Sequence, residues 1–170
     1  MDNGGTKIMI VLDIGCGNKK AKGAVGIDRI KTKDVDILCD IDVGLPFKEN
    51  VFEKIICDSV LEHTANIVGL MEELHRVGRD GCLVEICVPH FTSRSAYMDP
   101  TPKTFFSYRT FDYFAYNPNF IDYYTQNEFK ILGNYSPPSI KDADSEKSFA
   151  CFLRSIDRRS LPQSISPNHK

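Results

Sequence analysis

The 170-residue chain has no C-x-x-C pair, no apolar run near the roughly 20 residues that a membrane helix needs, and no charge surplus beyond a net −2. Each absence removes a class of protein. The six cysteines, Cys16, Cys39, Cys57, Cys82, Cys87 and Cys151, lack the close ligand spacing of a zinc site, so no metal centre is expected. Several sit in apolar, strand-like runs and read as buried free thiols of a reducing compartment. Without a basic surplus, the electrostatic footprint of a nucleic-acid binder is missing. The first residues, Met1-Asp2-Asn3-Gly4-Gly5, lack the basic start and apolar run of a signal peptide, so a cytoplasmic location without a membrane span is expected. No internal repeat is visible. What remains is ordinary globular composition, 42% hydrophobic and 26% charged, over a length that suits one core. A single domain is expected over residues 1–156, followed by a mobile tail over 157–170.

Strand and helix signals alternate through the first half. Strands are predicted over residues 7–14, 24–28, 35–39, 52–57 and 82–88, the last ended by Pro89. Asn66 is a candidate N-cap for a helix through Val77, with Val68, Met71, Leu74 and His75 at helical spacing and Gly78 as its stop. The stretch 19–23 is too short for a full crossover helix. Strands interleaved with helical segments predict an α/β fold: a Rossmann-like, mainly parallel sheet with right-handed crossovers and helices on both faces. Residues 91–125 are rich in Phe, Tyr, Asp and Pro and read either as an aromatic cap with short helices or as aromatic core under a long loop. Residues 129–135 and 148–156 predict a terminal β pair joined by a polar loop, 136–147.

The most informative stretch is Val11-Leu12-Asp13-Ile14-Gly15-Cys16-Gly17-Asn18. It reads as a buried strand running into a glycine turn, with an acid two residues before the first glycine. Gly15 and Gly17 permit positive-φ backbone and leave no Cβ in a ligand's way. A second acid, Asp28, ends the next strand, where a carboxylate can accept ribose hydroxyls. Asp40 follows the third strand, where an acid can accept an adenine amino group while Ile41 packs on the ring; Asp42 competes for that role. A dinucleotide fingerprint wants a third glycine at position 20, and Lys20 stands there. Asp13 suits the cationic amino acid end of S-adenosylmethionine and would repel a pyrophosphate, although it can equally cap the turn's own amides.

With these residues in place, the chain resembles the class I S-adenosylmethionine-dependent methyltransferases. The resemblance rests on Asp13-x-Gly15-x-Gly17, Asp28, Asp40, Leu45-Pro46-Phe47 and Asp58-Ser59-Val60-Leu61-Glu62-His63, arranged as in the small-molecule branch. It implies S-adenosylmethionine as cofactor. Asp13, Gly15 and Gly17, with Cys16 in the turn, would hold the methionine moiety, Asp28 the ribose, and Asp40 with Ile41 the adenine. The backbone around Cys57 and Asp58 would face the sulfonium. The interval from Gly17 to Asp28 is shorter than usual for the family.

A methyl acceptor with an oxygen or nitrogen nucleophile can use a base, and candidates lie just after strands four and five. His90, in Val88-Pro89-His90-Phe91, and His63 are the histidines placed there, and Asp99 is the acid that accompanies them. Tyr97, Tyr108, Arg109 and Tyr113 are candidates for an acceptor pocket. The region around Pro89-His90-Phe91 and Asp99-Pro100-Thr101-Pro102 also resembles a methyltransferase group linked to cell-surface glycan or lipid assembly, in which a histidine commonly stands where this chain has Pro102. No N-P-P-Y or D-P-P-Y tetrapeptide of exocyclic amino transfer follows the fourth strand. The expectation is therefore a methyltransferase for a small molecule or sugar-containing precursor, with no nucleic acid partner. The alternatives are a cofactor-binding relative without catalysis and an NAD-dependent oxidoreductase.

Overall fold

The computed structural model describes residues 9–115, 128–135 and 148–156. The expected tail over 157–170, the loop 136–147 and the end of the aromatic segment lie outside the described residues. Seven strands form one sheet: β1 Val11–Ile14, β2 Val25–Asp28, β3 Ile37–Leu38, β4 Phe52–Asp58, β5 Gly78–Pro89, β6 Glu128–Tyr135 and β7 Ser148–Ile156. Their order is β3-β2-β1-β4-β5-β7-β6. The strands from β1 to β5 pair in parallel, and β7 runs antiparallel between β5 and β6. This is the predicted mainly parallel, Rossmann-like sheet with its terminal β pair.

The core follows from alternation along the strands. Ile55 and Cys57 of β4, Val84, Ile86 and Val88 of β5, and Cys151 and Leu153 of β7 are fully buried. Their alternates Lys54 and Glu85 remain partly exposed and pair at 2.7 Å across neighbouring strands. The helix α1, Ile67–Val77, lays Leu70, Met71, Leu74 and Val77 into the same core. It starts where predicted, since the Asn66 side chain accepts the Gly69 N–H at 3.0 Å.

Two boundaries and the covering of one face differ from expectation. α1 stops at Gly78 as predicted, but without a left-handed cap: φ is −75°, and β5 begins at once, four residues earlier than expected. A Cβ there would stand 3.0 Å from Cys82 Cβ and from the Leu74 carbonyl, so the glycine that stops the helix also permits close approach. β3 shrinks to two residues, although Asp36 N donates to Gly26 O and Cys39 N to Asp28 O on either side of it. The connections β1–β2 and β2–β3 are turns. By right-handed crossover they lie on the face opposite α1, so that face gains no helix from them. In the first of them Lys20 lies across Gly26, where a Cβ would meet Lys20 Cδ at 2.5 Å and Cys16 Sγ at 2.8 Å. Lys20 then pairs with Asp36 at 2.7 Å, and Asp36 also accepts Gly26 N–H at 2.8 Å. One lysine, one acid and a glycine in the strand tie together what a helix would otherwise cover.

After β5 come a short helix, α2 (Ser95–Met98), and a 3-10 turn, Thr110–Phe114. The aromatics there divide. Phe106, Phe111 and Phe114 are core, whereas Phe91, Tyr97, Phe105 and Tyr113 stay exposed. All six cysteines are free thiols, as expected.

Candidate functional site

The chain runs from β1 outward to β3, then crosses back to β4 on the other side of β1. The carboxyl ends of β1 and β4 therefore open at a topological switch point, where open α/β sheets bind ligands. A cavity of about 220 Å³ lies there, lined by Gly15, Asp28, Arg29, Ile30, Cys39, Asp40, Ile41, Asp42, Ser59, Val60 and His63.

Its floor is the glycine turn. Gly15 N and Cys16 N both donate to Ile27 O, at 2.8 and 3.2 Å, which binds the turn to β2. Gly15 has φ +67°, and a Cβ would stand 2.6 Å from Val60 Cγ2. The neighbour that needs this glycine bare is thus the loop after β4. Gly17, at φ +51°, has nothing within 4 Å of a Cβ and leaves open space. Gly17 N donates to Asp28 Oδ2 at 3.1 Å, and Ile30 N to Asp28 Oδ1 at 2.9 Å. Ser59 supports the opposite wall with φ +55°, a left-handed conformation that is costly for a side chain other than glycine. Its N–H donates to Cys87 O at 2.8 Å and its hydroxyl to Asp58 Oδ1 at 3.0 Å.

Four of the residues expected at the cofactor line this cavity: Gly15, Asp28, Asp40 and Ile41. Five do not. Asp13 is 5% exposed and accepts Ala21 N–H at 2.6 Å, so it holds the far end of the turn. Burial pushes its carboxyl above the ordinary range, against the opposing pull of that amide bond. Cys16 turns its thiol toward the Asp34 carbonyl at 3.8 Å. Gly17 lies beside the lining rather than in it. The Cys57 side chain is fully buried in the core, where desolvation drives its thiol far up and keeps it neutral. Asp58 is exposed at the strand end. Arg29, Ile30, Cys39, Ser59 and Val60 were missed by sequence reasoning. Ser59 and Val60 were inside the quoted motif, but only their backbone geometry marks them as wall.

The catalytic candidates separate. His63 lines the cavity, and its Nδ1 lies 3.0 Å from Thr101 Oγ1, which donates to Asp99 Oδ1 at 2.7 Å. His63 and Asp99 are therefore brought together through one hydroxyl. The segment carrying Thr101 is pinned by Lys103 N and Thr104 N, both donating to Glu62 O. His90 is outside the cavity lining. Its ring stacks on Tyr108 with centroids 4.5 Å apart, its Nδ1 lies 2.7 Å from Thr92 Oγ1, and burial lowers its pKa. Arg109 and Tyr113 line a separate depression of about 430 Å³, where Arg109 pairs with Asp112.

A larger depression, about 700 Å³, lies beyond the shared segment 39–42. Two of its acids are already committed. Glu73 accepts from Arg76 and from Leu45 N–H, and Asp42 accepts from Thr64, Ala65 and Lys103. Among the described residues, no group of acids, histidines and cysteines is arranged to hold a metal ion, and no helix is long and apolar enough to cross a membrane.

The cavity suits an adenosyl ligand better than a dinucleotide. Asp28 and Asp40 offer carboxylates at the ends of neighbouring strands, Ile41 and Val60 offer apolar surface, and Gly17 leaves room. No helix begins at the turn, so the positive helix end that would receive a pyrophosphate is missing, and the three lining aspartates oppose one.

Comparison with known proteins bears on the fold. Residues 19–86 match the model of a methyltransferase domain family. No curated protein sequence matches the chain. Among solved structures, the fold is similar to that of the Burkholderia thailandensis 1,6-didemethyltoxoflavin-N1-methyltransferase, which holds S-adenosylhomocysteine (TM-score 0.62, 12% identity, 88% of this chain and 72% of that chain). It is also similar to an S-adenosylmethionine-dependent methyltransferase from Mesorhizobium loti (TM-score 0.61, 12% identity, 86% of this chain and 90% of that chain). A third similar structure is the [4+2]-cyclase SpnF (TM-score 0.60, 12% identity, 87% of this chain and 74% of that chain). The sheet thus has the Rossmann-like methyltransferase fold. The domain match over 19–86 falls on the segment that carries most of the cavity lining.

Proposed function

We propose that this protein transfers the methyl group of S-adenosylmethionine to a small molecule or a sugar-containing precursor. The observation that carries the reading is the cavity at the β1/β4 switch point, which Asp28, Asp40 and His63 all line. Asp28 accepts the ribose hydroxyls with the lone pairs left by Gly17 and Ile30. Asp40 accepts the adenine amino group while Ile41 packs on the ring. Gly15, Cys16 and Gly17 carry the methionine end, and Asp13 fixes their turn through the Ala21 amide. The Cys57–Asp58 backbone and Ser59 face the sulfonium. The cofactor supplies a methyl that is already activated, so the protein's main task is alignment, worth up to roughly 7–11 kcal/mol in favourable cases. His63 is the base beside the acceptor, with Asp99 behind it; His90 shapes the aromatic segment next to it. The acceptor is uncharged or modestly charged rather than a nucleic acid, in keeping with the net charge of −2, and the free thiols support a cytoplasmic location.

The test is release of S-adenosylhomocysteine when the protein and S-adenosylmethionine meet a panel of phenols, amines, sugars and nucleotide sugars. Acceptor-dependent release that falls at least tenfold in His63→Ala, with cofactor affinity retained, is the expected result. A second reading, cofactor binding without methyl transfer, is favoured by Pro102 and by the likeness to a [4+2]-cyclase. It would be preferred if cofactor bound and no acceptor in the panel were methylated.

A further inference from the structure

The chain Asp99–Thr101–His63 has a direction. Asp99 carries no donor when ionised, and hydrogen bonds from the Thr101 hydroxyl and the Thr101 N–H, at 2.7 and 2.8 Å, hold its carboxyl below the ordinary range. The Thr101 hydroxyl proton is therefore spent on Asp99. Toward His63 Nδ1, at 3.0 Å, the hydroxyl oxygen has only lone pairs to offer, so the ring nitrogen must bring the hydrogen. A neutral imidazole has one N–H, and placing it on Nδ1 leaves the lone pair on Nε2.

The groups around Nε2 sharpen the point. Glu62 Oε1 lies 4.0 Å from it, beyond hydrogen-bond distance. Glu62 is 4% exposed, and among the described residues its Oε2 has no hydrogen-bond partner. Among the described residues, neither the Nε2 lone pair nor Glu62 Oε2 meets a hydrogen-bond donor. His90 lacks this arrangement, because the Thr92 N–H approaches its Nδ1 at 3.4 Å and occupies the lone pair there.

Resting on the methyltransferase reading, we propose that Thr101 and Asp99 are positioning residues that fix the His63 proton on Nδ1, so that Nε2 takes the proton of an O–H or N–H acceptor. The balance is simple. The acceptor's oxygen or nitrogen forms a bond to the methyl carbon, the carbon–sulfur bond breaks with its pair kept by sulfur, and the acceptor's proton ends on Nε2. An acceptor with no proton to lose, such as a thioether or a tertiary amine, gains nothing from this arrangement.

The experiment is nitrogen-15 NMR of the histidine rings at a pH where imidazole is neutral, with the His63 signals assigned through His63→Gln, alongside calorimetric titration with S-adenosylhomocysteine. The expected result is an Nδ1–H tautomer for His63 in the wild type and in Thr101→Ser. In Thr101→Val and Asp99→Ala that preference is lost, with affinity for S-adenosylhomocysteine in Thr101→Val within about twofold of the wild type. An Nε2–H tautomer in the wild type, or an Nδ1–H tautomer that persists in Thr101→Val, would overturn the proposal. Absence of S-adenosylhomocysteine binding to the wild type would overturn the functional reading and the base role with it. The tautomer, read independently, tells the two failures apart.

Discussion

At the scale of single residues, the two glycines of the turn show what a motif conveys and what it conceals. Both are legible as positive-φ positions, but the sequence does not say which neighbour each must avoid. Gly15 is held bare by Val60, forty-five positions later, and Gly17 by nothing among the described residues. Gly17→Ala is therefore expected to cost about 1–2 kcal/mol from the left-handed backbone alone, together with weaker S-adenosylhomocysteine binding. Gly15→Ala adds a collision with Val60, and a total loss of about 2–4 kcal/mol is expected, partly recovered in Gly15→Ala/Val60→Ala. Urea unfolding of the four proteins decides this. Equal losses in the two single variants would show that Val60 yields freely. Asp13 illustrates the same limit: its place beside the turn was legible, while its commitment to the Ala21 amide depends on how the following turn folds back. Glu62 adds a pH signature. Burial is the main cause of its raised pKa, from an ordinary 4.5, so its folded form prefers the proton. The stability linked to that proton is fully present below the ordinary glutamate range and is lost as pH rises through the raised folded value. In Glu62→Gln this part of the pH dependence should vanish, and the difference between the two stability curves should widen with rising pH above about 4.5. A constant difference across that range would remove the buried charge from the explanation.

Elements were legible where local chemistry sets them. α1 was readable from its apolar spacing and from Asn66, whose side chain makes the predicted cap. Asn66→Ala is expected to cost about 1 kcal/mol in thermal or urea unfolding, and a change below a few tenths would mean that the cap is redundant with tertiary packing. The ends of elements were less legible because distant partners set them. β5 begins at Gly78, rather than four residues later, because that glycine lets Cys82 and the Leu74 carbonyl close in. β3 is short because it lies at the sheet edge with β2 as its single strand partner. Arg76 shows a link between elements that spacing does not reveal. It pairs with Glu73 on α1 and donates to the carbonyls of Leu45 and Phe47, anchoring the Leu45-Pro46-Phe47 loop to the helix. Hydrogen bonding from Arg76, then from Leu45 N–H, lowers the Glu73 pKa. The stability linked to that charge is present above the ordinary glutamate value of 4.5 and is lost as pH falls through the depressed folded value. Arg76→Ala should therefore shift acid unfolding to higher pH, and an unshifted acid midpoint would count against the link.

For the whole molecule, alternation of strands with connections was enough to call the parallel sheet and its terminal antiparallel pair, since both follow from chain order and crossover hand. The cleft followed from the same topology. Its composition did not, because Arg29, Ile30, Ser59 and Val60 enter it from loops whose paths depend on the assembled sheet. The brief first connections, stapled by Lys20 and Asp36 across Gly26, leave a turn where a dinucleotide fold would start a helix. The most direct test is a thermal-shift titration with S-adenosylmethionine, S-adenosylhomocysteine and NAD, on the wild type and Asp40→Ala. At about 100 times its dissociation constant a ligand adds about 2.7 kcal/mol, a readable rise in melting temperature. Stabilisation by both adenosyl ligands, weakened in Asp40→Ala and absent with NAD, is the expected result. No shift with either adenosyl ligand at saturating concentration, or a shift with NAD alone, would contradict the assignment of the cleft.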